Sequence, residues 1–347
     1  MRTNEMKANK VWSILAVLFL CIGMLTGCGG NQDADSTEIN INGTEVNLIK
    51  RGDSDPAKKS IVCTTFPQYD WMRNVLGQRE DEFNLSLLLD NGMDLHSYQP
   101  TAEDMSKIAA CDLFVYVGGA SDAWVEDALK EATNSNMQVV NLMEVSGSFV
   151  KEEEVVEGMQ EDAHEHEEKE YDEHVWLSLK NAQRFTTELA SAMGVVDKEN
   201  AQEYMANAEE YNQKLAALDG EYMSLMGEEK NDTVLFGDRF PLRYLVDDYG
   251  WNYFAAFAGC SAETEASFET IAFLAGKVDE LKLQYIFVLE GSDQKIAEAI
   301  INSTKDKSCE IITVNSMQAV TGRDVEEGIT YLSVMEDNLA AFEKALR

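Results

Sequence analysis

Only four histidines occur in the 347 residues, and two of them sit where a metal can be held. His96 lies in Asp94-Leu95-His96-Ser97-Tyr98-Gln99-Pro100, a loop after an apolar strand candidate. His174 lies in Tyr171-Asp172-Glu173-His174-Val175-Trp176-Leu177, where an acidic stretch meets a helix. A neutral imidazole binds zinc and similar borderline ions through one ring nitrogen and needs no special activation. Taken singly, either residue reads as an ordinary surface or capped histidine. The other two, His164 and His166, stand among Glu161, Asp162, Glu165 and Glu167. They could bind metal weakly and pass it inward, but a solvated acidic linker is the reading favoured. The methionines are scattered and read as core filling rather than copper ligands. No His-Glu-x-x-His, Gly-x-Ser-x-Gly or phosphate-cradling Gly-Lys-Ser/Thr occurs, so an enzyme is not expected.

The elements that must position these residues begin after a targeting segment. Met1 to Lys10 carries Arg2, Lys7 and Lys10, an apolar run spans Val11 to Leu25, and Leu25-Thr26-Gly27-Cys28 follows. A basic start, a short apolar stretch and small residues at the cut describe a secretory signal peptide over 1–27. The run is shorter than the roughly 20 apolar residues of a membrane span. Gly29 to Lys59 is polar and reads as a tether, so 28–59 is expected to link an anchor to the folded body. About 320 of the 347 residues then remain, enough for two lobes. With 63 acidic residues against 28 basic ones, the formal net charge is -35. That charge repels nucleic acid and anionic lipid surfaces and suits a protein that attracts cations.

From Ile61 onward short β-branched runs alternate with helical spacing. Strands are predicted at Ile61–Phe66, Leu85–Leu89, Leu113–Val117 and Val139–Leu142. In the second half they are predicted at Thr233–Phe236, Tyr253–Phe257, Tyr285–Leu289 and Ile311–Val314. Helices are predicted between them, with Thr101 and Asp104 forming an approximate capping box. Val175 to Met226 reads as largely helical with a break near Gly194, and the last helix as Val325 to Leu346. The fold class expected is α/β, two lobes each with a parallel sheet flanked by helices and joined by a long helix. The expected bounds are 60–190 for the N-terminal lobe, 191–229 for the linking helical segment and 230–347 for the C-terminal lobe. Residues 151–173, with a dozen acidic side chains, read as a loop within the first lobe. Of the six cysteines none forms a Cys-x-x-Cys pair, and Cys63 with Cys111 is the pairing that strand placement would allow.

His96-Ser97-Tyr98-Gln99-Pro100-Thr101 with Asp104 resembles the first ligand motif of zinc and manganese ABC-transporter solute-binding proteins. Cys111 to Gly119, followed by Trp124, is similar to the strand and helix after it. Asp172-Glu173-His174-Val175-Trp176-Leu177 resembles the second ligand motif, with a counterpart of the family's acidic loop between the two. Gly259-Cys260-Ser261-Ala262-Glu263-Thr264-Glu265-Ala266-Ser267 resembles a second-lobe segment, and Tyr331 to Leu339 the closing helix. Leu25 to Cys28 resembles the bacterial lipobox. The resemblance covers nearly everything after Ser60 and implies that His96 and His174 are ligands.

It also exposes a departure. The family supplies a third His or a Glu after the first strand of the second lobe, and here that place reads Phe236-Gly237-Asp238-Arg239-Phe240-Pro241. Asp238 is the nearest competent ligand, with capping of the next helix or pairing with Arg239 as the alternative. For the family's fourth ligand, Val314 to Gln318 offers no strong donor. Glu263 or Glu290 could contribute, and Glu290 could equally orient a ligand from behind. The resemblance implies a monomeric lipoprotein, lipidated at Cys28, on the outer face of the cell membrane. Its cargo would be zinc, with manganese as the alternative, and its partner the permease of an ABC importer. The rival expectation is an adhesin-like or metal-independent surface lipoprotein that kept the fold.

Overall fold

The structure is a computed structural model that describes residues 39–41, 44–46, 55, 57–160, 170–227, 231–261 and 265–347. The signal peptide, Cys28, His164, His166 and Glu263 lie outside the described residues. The chain divides into a unit over Met1–Asp53 and a unit over Ser54–Arg347. In the first, β1 (Ile39–Ile41) and β2 (Thr44–Val46) pair antiparallel. Everything below concerns the second unit.

Its first sheet has the order β4-β3-β5-β6, with all pairings parallel. The strands are β3 (Lys59–Cys63), β4 (Phe83–Leu87), β5 (Leu113–Tyr116) and β6 (Gln138–Asn141). Helices α1 (Phe66–Leu76), α2 (Ala102–Ala110), α3 (Val125–Lys130) and α4 (Leu142–Ser146) alternate with them. β3 stops at Cys63 rather than Phe66 because the Gln68 carboxamide accepts the Thr64 and Thr65 N–H groups at 2.9 and 3.2 Å. With Pro67 in the first turn, Phe66 is already helical. Thr101 and Asp104 form the expected capping box.

Helix α5 (Leu179–Val196) runs straight through Gly194, and the break comes at 197–200, before α6 (Ala201–Leu225). Asp197 sets it: its carboxylate accepts from Tyr204 Oη at 2.6 Å and from Asn200 Nδ2 at 2.8 Å. α6 packs along α5 and α1.

The second sheet has the order β10-β9-β7-β8, again parallel. Its strands are β7 (Thr233–Phe240), β8 (Asn252–Ala258), β9 (Tyr285–Leu289) and β10 (Glu310–Val314). Helices α7 (Arg243–Tyr249), α8 (Phe268–Leu281) and α9 (Lys295–Ser303) separate them. Both faces of this sheet are buried, as parallel strands require. Leu235, Ile286 and Val288 pack with Leu274, Ala297 and Ile300 on one side. Phe236, Phe287 and Val314 join the main core on the other, and that core is continuous with the first lobe. The expected last helix is two: α10 (Gly322–Glu326) and α11 (Tyr331–Leu346), the latter started by a Thr330–Ser333 capping box. α11 packs on α1 and α6 as well as on β7 and β10, tying the lobes together.

Cys63, Cys111, Cys260 and Cys309 are all free thiols, so the Cys63–Cys111 pairing that strand placement would allow is not formed. The register explains this: Cys63 lies opposite Val115, four residues downstream of Cys111. No helix among the described residues is long and apolar enough to cross a membrane.

Candidate metal centre

Parallel sheets place their sites beyond the carboxyl ends of the strands, and both sheets here do so. His96 sits in a short 3-10 turn, Leu95–Ser97, in the connection after β4. The Asp94 carboxylate caps that turn by accepting the His96 N–H at 3.0 Å. The His96 Nδ1 lies 2.8 Å from Ser121 Oγ. Ser121 is held in the turn after β5, its N–H donating to Glu173 Oε1 at 2.8 Å. Just before it, the Val117 and Gly118 N–H groups donate to Asp122 Oδ2 at 2.9 and 2.8 Å.

His174 is fully buried ahead of a second 3-10 turn, Val175–Leu177. Asp172 Oδ1 accepts twice from it, from the backbone N–H at 2.8 Å and from Nδ1 at 2.9 Å. A carboxylate on Nδ1 fixes the proton there and turns the Nε2 lone pair outward. That atom faces the Nε2 of His96 at 3.2 Å. Two nitrogens bound to one tetrahedral zinc at about 2.0–2.1 Å would lie roughly 3.3 Å apart, so the pair already has the spacing of a chelate.

The second lobe contributes Cys260, in the turn after β8. The Gly259 N–H donates to Glu153 Oε1 at 2.8 Å, which draws the turn toward the histidines. Gly259 has to be a glycine: a Cβ there would meet the Phe240 carbonyl oxygen at 2.9 Å and the His174 ring at 3.2 Å. The His96 and His174 nitrogens and the Cys260 Sγ all lie within 4.8 Å of one another.

Asp238 lines the same cleft without joining this cluster. It belongs to a bulge where β7 slips against β8 between Phe236 and Arg239. Its Oδ1 accepts the Arg239 N–H at 2.9 Å and its Oδ2 the Leu289 N–H at 3.3 Å. The bulge needs Gly237, since a Cβ would come within 2.8 Å of Ala297 on α9. The Arg239 guanidinium reaches across the cleft to Asp94 Oδ2 at 2.6 Å. Glu290, after β9, accepts from Ser316 N–H and Ser316 Oγ, each at 2.7 Å, and from Gln318 N–H at 3.2 Å. These groups surround a cavity of about 550 Å³ that opens beside His96 and Cys260.

Burial and neighbouring charges act differently on the three groups, and the Arg239 guanidinium adds to the effects that keep His96 neutral. Burial, reinforced by neighbouring His174, pushes the His96 imidazole down to about 4, so it is neutral at physiological pH. Burial also opposes charge on His174, but Asp172, backed by Glu153 and Glu173, outweighs it and raises its pKa. Burial, followed by Glu153, Asp172 and Glu173, holds the Cys260 thiol well above its usual range. Among the described residues, Glu153 Oε2 and Glu173 Oε2 are buried and accept no hydrogen bond. The Glu173 Oε2 lies 3.6 Å from the His96 Nδ1, so a buried carboxyl group stands behind the imidazole pair.

The sequence singles out both histidines, which the fold brings together, but not Cys260, which the fold places beside them. The available signal was its place in the Gly259–Ser267 segment, at the carboxyl end of a second-lobe strand. Ser121, Glu153 and the orienting role of Asp172 carried no signal of their own.

The family model "Zinc-uptake complex component A periplasmic" (ZnuA) matches residues 61–345. The zinc-binding lipoprotein AdcA of Streptococcus pneumoniae is 27% identical over 334 residues, covering 95% of this chain and 60% of the relative. The chain thus spans well under two thirds of AdcA's length. The high-affinity zinc uptake system protein ZnuA of Bacillus subtilis is 26% identical over 342 residues, covering 97% of this chain and 98% of the relative. The Zn(II)-bound ZnuA-like domain of S. pneumoniae AdcA superposes with a TM-score of 0.65 at 26% identity, covering 83% of this chain and 99% of that one. The laminin-binding protein Lmb of Streptococcus agalactiae shares the fold, with a TM-score of 0.66 at 22% identity, covering 83% of this chain and 100% of that one. With the family match spanning nearly the whole folded body, the chain belongs to the ZnuA family of zinc-uptake complex components.

Proposed function

We propose that this protein captures a divalent transition metal, zinc in the first instance, between its two lobes and presents it to an ABC permease. The observation that carries the reading is the His96–His174 pair, with Nε2 atoms 3.2 Å apart and both Nδ1 atoms engaged from behind. The metal is cargo: it is bound, enclosed and released, and no reaction is performed on it. His96 and His174 hold it from the first lobe, and the second lobe closes over it. Burying a dication is favourable only where ligands replace its water, so the loaded protein prefers the closed state. That difference between states is what a permease can read. The relatives' zinc-binding and zinc-uptake names support zinc over manganese.

The proposal includes export, cleavage before Cys28 and lipid attachment there, with 28–59 as the tether. It also includes the division into lobes over 60–190 and 230–347, joined through 191–229. Several acyl chains on one residue would anchor the protein stably where a single chain would not. The test is competitive zinc titration of residues 28–347 against a His96→Ala, His174→Ala double variant. We expect the double variant to lose at least about 100-fold in affinity, since removing even outer-sphere partners of a metal ligand costs 10–100-fold. Equal, weak binding by both proteins would sink the assignment.

A further inference from the structure

We propose that Cys260 supplies a thiolate as the second-lobe ligand, making a two-nitrogen, one-sulfur site that selects zinc and softer ions over manganese. This rests on the metal-capture reading above and adds the ligand that reading leaves open on the far side. The geometry points to it on three counts. The Cys260 Sγ is grouped with the two imidazole nitrogens within 4.8 Å, whereas Asp238 and Glu290 are not. Their carboxylates are committed to backbone N–H groups of their own lobe. The side-chain-free Gly259 lets the turn approach the His174 ring, and the Glu153 carboxylate fastens it there. Arg239, at the place where the resemblance led us to seek a ligand, instead pairs with Asp94.

The chemistry is a ligand exchange without redox change. The thiol gives its proton to solvent, a metal–sulfur bond forms, and a bound water leaves the ion. Around a tetrahedral zinc, with Zn–S near 2.3 Å and Zn–N near 2.0–2.1 Å, sulfur and nitrogen would stand roughly 3.5 Å apart. Because Cys260 belongs to the second lobe, a metal–sulfur bond at that spacing would tie the second lobe to the histidines of the first. Thiolate ligands favour zinc, cobalt and cadmium, while manganese prefers carboxylate and water. Manganese should consequently bind weakly and with little dependence on Cys260.

The probe is cobalt(II), titrated into residues 28–347 of the wild type, Cys260→Ser, Cys309→Ser and the His96→Ala, His174→Ala double variant. We expect a near-ultraviolet sulfur-to-cobalt charge-transfer band in the wild type and in Cys309→Ser. Cys260→Ser should lose the band, keep weaker visible ligand-field bands from the histidines, and bind zinc at least about tenfold more weakly. In parallel, zinc should protect Cys260 of the wild type from iodoacetamide, read by peptide mass. That measurement does not depend on the variant folding. A cobalt complex without the sulfur band, or Cys260 alkylated equally with and without zinc, overturns the proposal while leaving the histidine site intact. Unchanged cobalt binding by the double-histidine variant instead overturns the reading beneath it.

Discussion

On the first-lobe side of the cleft, each imidazole is gripped from behind. Ser121 Oγ and Asp172 take the two Nδ1 atoms, and Ser121 and Asp172 are tied in turn to Glu173 and Tyr244. On the second-lobe side the acidic groups line the cleft but are engaged within their own lobe. Asp238 spends its oxygens on Arg239 and Leu289 N–H, Glu290 on Ser316 and Gln318, and among the described residues it is the Cys260 turn that approaches the histidines. On the metal-capture reading proposed above, one half is a pair of nitrogens already at chelate spacing, and the other is the side that would close on the ion. The difference teaches how such a protein could be both selective and able to let go. Fixed ligands would set the geometry, while the other side would carry the free-energy difference between open and closed states.

The largest expected effect breaks the rigid half itself. The double-histidine variant should bind zinc at least about 100-fold more weakly, measured by chelator competition. A fall of only a few-fold would mean that the second lobe provides most of the binding. Next in size is Asp172→Asn, which keeps the shape but frees the His174 tautomer. We expect a loss of about 10–100-fold, with the thermal midpoint of the metal-free protein little changed. An affinity equal to wild type would show that the imidazole needs no orienting carboxylate.

The stiffness of the first half also has a pH signature away from the site. Asp70 on α1 is buried and accepts from the Tyr331 N–H at 3.0 Å, and burial raises its pKa from 3.8 to about 6. The native state therefore holds this proton more tightly than the unfolded chain does. The contribution is fully present below about pH 4 and is lost as pH rises through about 6. Asp70→Asn should remove this slope and stabilise the protein by about 2 kcal/mol at neutral pH, read from urea midpoints. A variant that unfolds earlier at pH 7 would show that the ionised carboxylate's bonds to Tyr331 and Tyr211 outweigh its desolvation. The smallest effect is expected for Asp238→Asn. It should shift zinc affinity by less than about threefold, under 1 kcal/mol, because the side chain serves the β7 bulge. A loss of tenfold or more would place Asp238 among the ligands and erase the contrast between the halves.

Much of this was legible in the sequence because it is local. Strand and helix alternation from Ile61 onward, the Thr101 capping box and the two histidine motifs all depend on neighbours a few residues apart. The misjudged boundaries are those set by side chains that choose partners nearby in ways spacing does not reveal. Gln68 ends β3, Asp197 breaks the helical run after Gly194, and Thr330 with Ser333 splits the last helix.

The sequence by itself determined the α/β alternation, the family and the pair His96 and His174, since period-2 and helical patterns and short motifs are written in consecutive residues. Only the tertiary structure decided which second-lobe group faces that pair. Asp238, Cys260 and Glu290 all lie near carboxyl ends of strands, and each is of a type that can ligate zinc. What separates them is the backbone each one meets: N–H groups claim the lone pairs of Asp238 and Glu290, while Gly259 and Glu153 bring Cys260 in. Those partners are up to about a hundred residues away along the chain, a distance that only folding closes.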